Sequence, residues 1–475
     1  MIRPFLSAAS SCLIILWMTP VAWAGQLTLQ DALRYALTHN AMIAAKQNSL
    51  AQAESTYIKQ HSSEFPPVTA SLQNQLARQN NASGNFAQFG LTPAARFSQN
   101  TAQIGTQWTL YNGSLNQILT QQNRRQVEAA RADLRQTQAQ ITAAIVDDFF
   151  TIANKRAGAR LAQSNFAYQQ ALLSAAQAKE KAGLVAGVDV LRADVAVQQA
   201  QVSVLNAQSD TETARELLAQ EIGAPIDTQF AVRSQLPEPP LPSESVASLV
   251  RIAEVDRPDI AVAMANVAIA QLSRAGLDTD LRPQISINAA FGSQTSPTSF
   301  VDRQSQIDQL NALCKLFPSD INCIGAPFPN VVRGMPGFWQ IGATSTLSFP
   351  IVDYGTRRAA HRSADQSIAS AQLSLVAAQN AAEADIRQSL RSAQTTHAAL
   401  FYQRKAVELA VESARIAQLQ YRNGLISLTD AAAAQQTSQQ VQNDLLSARI
   451  AYINAVVKLR IALGAFDPLS TVTDL

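Results

Sequence analysis

Few side chains in this sequence stand where chemistry could be done. The four histidines (His39, His61, His361, His397) are scattered and lack metal-ligand spacing. A metal site needs several such donors converging on one ion. There is no H-E-x-x-H, no Cys-x-x-Cys and no phosphate-binding glycine-rich loop. No Ser or Cys sits in a recognisable nucleophile motif. No catalytic residue, metal site or cofactor is therefore assigned, and no enzymatic activity is expected. The polar groups that stand out are of another kind. Asp189 follows the break Gly183-Leu184-Val185-Ala186-Gly187, and Asp430 follows Gly424-Leu425-Ile426. By itself such an acid reads as a helix N-cap or a first-turn residue facing the helix dipole.

The elements that carry these residues belong to an exported protein. Met1-Ile2-Arg3 gives a positive start, and an apolar stretch strongest from Leu13 to Trp17 follows. It ends Ala22-Trp23-Ala24 before Gly25, the pattern of a secretory leader over residues 1–24. A membrane anchor is the alternative, disfavoured by the short apolar core. Most of that core follows Cys12, so the mature chain is expected to start at Gly25 without a lipid. Downstream there is no run of about 18 apolar residues that would make a transmembrane helix. Cys314 and Cys323 remain after cleavage, and in an oxidising compartment they read as a loop-closing disulfide, with two free thiols as the alternative. Of the 475 residues only 15% are charged, against about 25% in ordinary soluble domains. The net charge of +2 excludes a surface built to grip nucleic acid. The apolar content of 47% argues against disorder.

Four segments alternate at period two, at about 66–78, 101–111, 284–292 and 338–350. Val68, Ala70, Leu72 and Leu76 oppose Thr69, Ser71, Gln73 and Gln75; Trp339, Ile341, Ala343 and Leu347 oppose Gln340, Gly342, Thr344 and Thr346. The polar faces carry no charge, as in a water-filled lumen. Trp108, Tyr111, Trp339, Phe349 and Tyr354 lie near strand ends, as do the aromatic girdles of outer-membrane barrels. A soluble sheet with one wet face gives the same alternation. The leader and the missing charges favour the membrane. Four strands cannot close a barrel, and lipid tolerates no open sheet edge. The chain is therefore expected to share a barrel with copies of itself, two copies supplying eight strands and three supplying twelve.

Long helices fill the rest. From Ser114 to about Ala182 there is no Pro and one Gly, Gly158, and good helix formers dominate. Such a length, roughly 100 Å at 1.5 Å per residue, implies coiled-coil packing. Helix resumes at Asp189 and runs to about Ile222, making a hairpin with its turn near 183–188. Residues 224–243 form a Pro-rich connector. Helix is expected again from Ser245 to Asp280, from Thr356 to Asn423 and on to Leu463, with a second turn near 424–428.

The chain is a tandem repeat. Gly183-Leu184-Val185 with Asp189 recurs 241 residues on as Gly424-Leu425-Ile426 with Asp430. Ile222-Gly223-Ala224 recurs at the same offset as Leu463-Gly464-Ala465, and Tyr111-Asn112-Gly113 answers Asp353-Tyr354-Gly355. Phe65-Pro66 recurs as Arg282-Pro283 at an offset smaller by about 25, so the second inter-strand loop carries an insertion, roughly Ser293 to Gly337. The expected domains are the leader, a first repeat over 25–223, the connector, a second repeat over 244–464 and a tail over 465–475.

This order of elements, with the motif Gln420-Tyr421-Arg422-Asn423-Gly424 through Asp430 and its degenerate copy at Gly183 to Asp189, resembles the TolC family of outer-membrane efflux channels. The resemblance covers essentially all of the mature chain. It implies an α+β membrane protein: a trimer with a twelve-stranded outer-membrane β-barrel, four strands per chain, continued by a long periplasmic α-helical barrel. It implies an outer-membrane location in a Gram-negative bacterium, with a periplasmic adaptor, an inner-membrane pump and outer-membrane lipid as partners. The implied function is a passive exit duct of a tripartite efflux or type I secretion system. A non-conducting envelope coiled coil is the competing reading, and it predicts no membrane strands. Asp430 matches one acid of the family's periplasmic ring, and the next acid falls on Ala433. Tyr421 matches a residue of the polar links that hold the entrance shut, and the partner Arg position is Ile426. Asp430, Tyr421 and Asp189 are thus the expected gate residues, and Gly183, Gly187 and Gly424 the turn motif.

Overall fold

Period-two and period-3.6 sequence resolve into two compact units in the computed structural model. It describes residues 26–79, 95–228, 230–232, 238–241, 245–295, 298–300, 304–324, 326–327, 331–332, 338–347 and 351–464. The leader, Gly25, Phe349 and the tail over 465–475 lie outside the described residues. In chain order the elements are β1 (Gln26–Leu27), α1 (Leu29–His39), α2 (Ala41–Ser62), β2 (Val68–Gln79), β3 (Ala95–Asn112), α3 (Leu115–Lys181), α4 (Gly187–Ile222) and β4 (Ala231–Val232). Then come α5 (Val246–Asp256), α6 (Pro258–Gly276), β5 (Gln284–Thr295), β6 (Thr298–Phe300), α7 (Gln304–Leu316), β7 (Val331–Val332), β8 (Phe338–Thr346), α8 (Thr356–Arg422) and α9 (Leu428–Ala462).

The first unit takes the chain up to 53, then 126–267, and then from 370 on. One core joins α1, α3, α4 and α9 through Leu33, Ile145, Phe149, Leu218, Ile222 and Ile453. A second joins α5, α8 and α9 through Leu249, Ile386, Leu390, Tyr452 and Leu459. Each such side chain contributes about 1.5–3 kcal/mol on burial. Between these larger residues the buried positions are small: Ala132, Ala139, Ala153, Ala176, Ala193 and Ala200. Small seams let long helices approach closely, which fits the repeats' Ala content.

The helix expected over Ser245–Asp280 is two helices and a 3-10 turn. Pro258 opens α6, and a residue before proline avoids the helical region, so Arg257 is extended (φ −68°, ψ 126°). Asn40 breaks the first repeat in the same way between α1 and α2. Its Oδ1 accepts the N–H groups of Met42 and Ile43 at 2.8 and 3.2 Å, and its Nδ2 donates to the Glu221 carbonyl at 2.7 Å. Arg257 donates to the Ala462 carbonyl at 3.2 Å. Glu221 and Ala462 are 241 residues apart, so both repeats tie the break to the end of their last helix. Gly223 and Gly464 follow those ends with φ of 78° and 73°. A Cβ on either would stand 2.6 Å from backbone, the His39 carbonyl or the Arg257 nitrogen. No side chain fits there, which explains the repeated Ile-Gly-Ala and Leu-Gly-Ala. The stretch Pro258–Leu281 has the length and mean hydropathy (1.4) of a membrane span by composition. Asn266, Gln271 and Arg274 interrupt it, so it holds no unbroken run of about 18 apolar residues.

The second unit takes residues 54–125 and 268–369. Its main strands lie in the order β2-β3-β5-β8, all antiparallel, with β6 and β7 added beside β3. β2 begins after Pro66-Pro67, and β3 starts earlier than the alternation predicts, at Ala95. β8 ends at Thr346, and residues 348–350 lie outside the described residues. The insertion is structured: α7 buries Ile307, Leu310 and Cys314, and Cys314 is bonded to Cys323 with Cα atoms 5.3 Å apart. Sequence periodicity gave no sign of α7 or of the parallel β1–β4 pair, which is only two residues long.

Candidate functional site: a two-faced sheet and two hairpin turns

The sheet register lines up one face across four strands. Ala70, Ile104, Phe291 and Trp339 form one row, and Val68, Thr106, Ala289 and Ile341 the next. These large apolar groups face outwards unpacked: Leu72 is 90% exposed, Trp339 76% and Phe291 71%. On the other face the rows read Thr69, Gly105, Ala290, Gln340 and then Gln107, Asn288, Gly342, small or polar and uncharged. A soluble sheet buries its apolar face; this one leaves that face bare, as a lipid-facing surface must. A bulge at Leu110 puts Tyr111 opposite Ile285 and so turns it onto the apolar face. Trp108 donates its indole N–H to the Glu64 carbonyl at 2.9 Å. Tyr354 stands 98% exposed at the start of α8 with φ 49°. Among the described residues, β2 pairs only with β3 and β8 only with β5, so each keeps an open edge.

In the first unit the hairpin turns bring the remaining candidates together. Tyr421, Asp189, Lys179, Arg422 and Ser427 line one cleft. Tyr421 is 3% exposed and packs with Leu172 and Ala431. Among the described residues its buried hydroxyl has no partner. Burial, and then the charge of Asp189, push its phenol above the usual range. The Tyr168 hydroxyl nearby is likewise buried and unpartnered. Gly183 and Gly424 take φ of 69° and 75°, the left-handed turn that glycine favours. Gly187 does not: it is the first residue of α4 with no positive φ, so its place in the turn motif is not conformational. Asp189 sits in the first turn of α4, 3.6 Å from Arg192. Asp430 completes a capping box at α9: its carboxylate accepts from the Ser427 hydroxyl at 2.7 Å and the Ser427 N–H at 3.3 Å.

Of three further residues of interest, Lys179 and Asp148 carried no sequence signal. Ser427 and Lys179 act through the turn geometry. Asp148 in α3 is pushed up to about 6 by burial, then by Asp147 and Glu221. Its neighbours come from two helices, so no local motif marks it. The S/T-x-x-D spacing of Ser427 and Asp430 was the one signal that would have revealed the cap.

A bare apolar sheet face with open edges defines an integral outer-membrane protein. The outer membrane efflux protein family matches residues 32–224 and 249–465, one repeat each, and the chain belongs to it. OpmQ of Pseudomonas putida, a pyoverdine export outer membrane protein, is 25% identical over 350 residues, 72% of this chain. The match spans 65% of that relative's length. The fold is that of the CmeC outer membrane channel of Campylobacter jejuni (TM-score 0.73, 16% identity, 94% of this chain and 88% of that one). A membrane protein from Pseudomonas aeruginosa is similar as well (TM-score 0.71, 18% identity, 92% and 93%).

Proposed function

We propose that three copies of this chain close one twelve-stranded outer-membrane barrel and serve as the passive exit duct of a tripartite efflux or type I secretion system. The observation that carries this reading is the sheet. It has one bare apolar face, one uncharged polar face and an open edge on either side. An open edge is not tolerated in lipid, and pairing β8 of one copy with β2 of the next removes both. The polar faces then line a wet lumen. A relative that exports pyoverdine supports the export reading. In this reading Asp430, Asp189 and Tyr421 lie at the narrow periplasmic entrance, and the disulfide-closed insertion lies outside the cell. A periplasmic adaptor and an inner-membrane pump complete the path and select the cargo.

The test is native mass spectrometry in detergent together with single-channel recording in planar bilayers. Trimers with a small, cation-preferring conductance are expected. Stable monomers or dimers, or a trimer that never conducts, would reject the duct.

A further inference from the structure

We infer that a polar cavity between α3, α4 and α9 is a binding site for a neutral, hydroxyl-rich small molecule of the sugar class. The cavity lies wholly within the first unit and measures about 370 Å³. That is far above the roughly 15 Å³ that one water needs, and it falls in the lower range of small-molecule sites, about 300–1,000 Å³. α3 supplies Asn154, Lys155 and Gly158, α4 supplies Asp210, and α9 supplies Gln439 and Asn443.

The polar atoms of the wall point to a ligand. Asn154 Oδ1 and Gln439 Nε2 are both buried, and neither finds a partner among the described residues. A buried polar group left unbonded costs stability. One of these atoms accepts and the other donates. A hydroxyl does both, so it serves whichever way each amide is turned. Gly158 points the same way. It is the only glycine in α3, its φ is not positive, and a Cβ there would meet nothing within 4 Å. Neither the backbone nor a close neighbour asks for glycine, and glycine weakens a helix interior relative to alanine. What the missing side chain does is leave room in the wall.

The repeat supplies an internal control. α3 and α8 each have 67 residues and start 241 apart, so Ala399 takes the place of Gly158. Thr395, Ala406 and Ala451 take the places of Asn154, Asn165 and Asp210. The second repeat builds the same long helix without the glycine or these polar groups, so the fold does not demand them. The charges then fix the ligand class. Among the described residues lining the cavity, Lys155 and Asp210 are the charged ones, and they neutralise each other at 2.8 Å. No net charge is left to hold an ion. Leu161, Ala162 and Leu446 give an apolar patch suited to the C–H face of a sugar ring, while the amides take its hydroxyls.

The test is titration calorimetry and thermal melting of the full chain, with glucose and trehalose as the probes. The protein is solubilised in an amine-oxide detergent, which has no sugar headgroup to compete. Wild-type protein is expected to bind at least one probe saturably, one per chain, with a raised melting temperature. Asn154→Leu keeps the volume and removes the acceptor. It is expected to weaken binding about tenfold, the scale of one hydrogen bond. Its ligand-free melt is expected to hold or rise, because a buried unpaired group is gone. Gly158→Leu fills the cavity and is expected to abolish binding. If neither sugar binds the wild type saturably, water alone serves the amides and the site is overturned. Binding unchanged in both variants places the sugar elsewhere and overturns it too. Gluconate is the charged control, and binding as tight as glucose would reject the neutral class. Should Gly158→Leu fail to assemble, Asn154→Leu and Gln439→Met decide together. None of these readouts depends on conductance, so a failure of the duct reading leaves them standing.

Discussion

The two hairpin turns share a backbone and differ in chemistry. Gly183 and Gly424 both end a 67-residue helix in the left-handed region. In both, the residue after the glycine donates back over the last turn, Leu184 to Lys179 at 2.8 Å and Leu425 to Gln420 at 2.9 Å. They then part. The first resumes at Ala186, which has no capping side chain, and the second at Ser427, which makes a full capping box with Asp430. Asp189 is answered by Arg192, whereas the residue three beyond Asp430 is Ala433. Glycine and helix pattern alone build the turn; the residues after it decide how firmly the next helix starts and how much charge is left uncompensated.

The largest effects are expected where the turns agree. Gly183→Ala and Gly424→Ala place a Cβ in the left-handed region, at a cost of about 1–2 kcal/mol each. Neither Cβ meets an atom within 4 Å, so the two costs come from the backbone and are expected to match. Gly187→Ala has the opposite sign, a gain below about 1 kcal/mol, because that glycine sits in ordinary helix. Its Cβ meets only the mobile end of Glu180. Thermal melts of the solubilised protein separate the three. A harmless Gly183→Ala would show that the first turn does not require its observed φ.

Where the turns differ, a smaller effect is expected. Ser427→Ala removes the cap of α9 and is expected to cost about 1 kcal/mol. Ala186→Ser supplies the missing cap to α4 and is expected to recover somewhat less, because no acid stands ready beside it to complete a box. If both changes leave the melt unmoved, the asymmetry at the helix starts has no energetic weight.

Strand faces, helix lengths, both turns and the tandem repeat were legible because each rests on a short period or a repeated glycine. The apolar face read from alternation lies bare in the sheet at Val68, Leu72, Leu76, Trp339 and Ile341. Breaks fixed by one side chain were harder. Asn40 and Arg257 end helices through bonds to carbonyls about 200 residues away, and only Pro258 left a local mark. The candidate site was half legible. Tyr421, Asp189 and Asp430 were named from motif position, but Lys179 meets Tyr421 across 242 residues, which no local pattern records. Gly187 opens α4 without a positive φ, so a glycine in a turn-like string need not adopt a glycine conformation.

The smallest and most specific effect concerns charge at the two acids. Among the described residues Asp189 has a cation within an ion pair and Asp430 has none, so the preference for cations is expected to reside at Asp430. Asp430→Ala would confound two roles, since it removes the charge and opens the capping box together. Asp430→Asn separates them. Its side-chain oxygen still accepts from the Ser427 hydroxyl, so the melt is expected to move by less than about 0.5 kcal/mol, within the range of a surface change. The negative charge is gone, and with it the field that concentrates cations at a narrow mouth. Reversal-potential measurements across a salt gradient are expected to show reduced cation selectivity and weaker multivalent-cation block in Asp430→Asn, and little change in Asp189→Asn. Equal shifts for the two variants would mean that Arg192 does not compensate Asp189. No shift in Asp430→Asn, with the melt preserved, would reduce Asp430 to a helix cap and leave the entrance without an acidic ring.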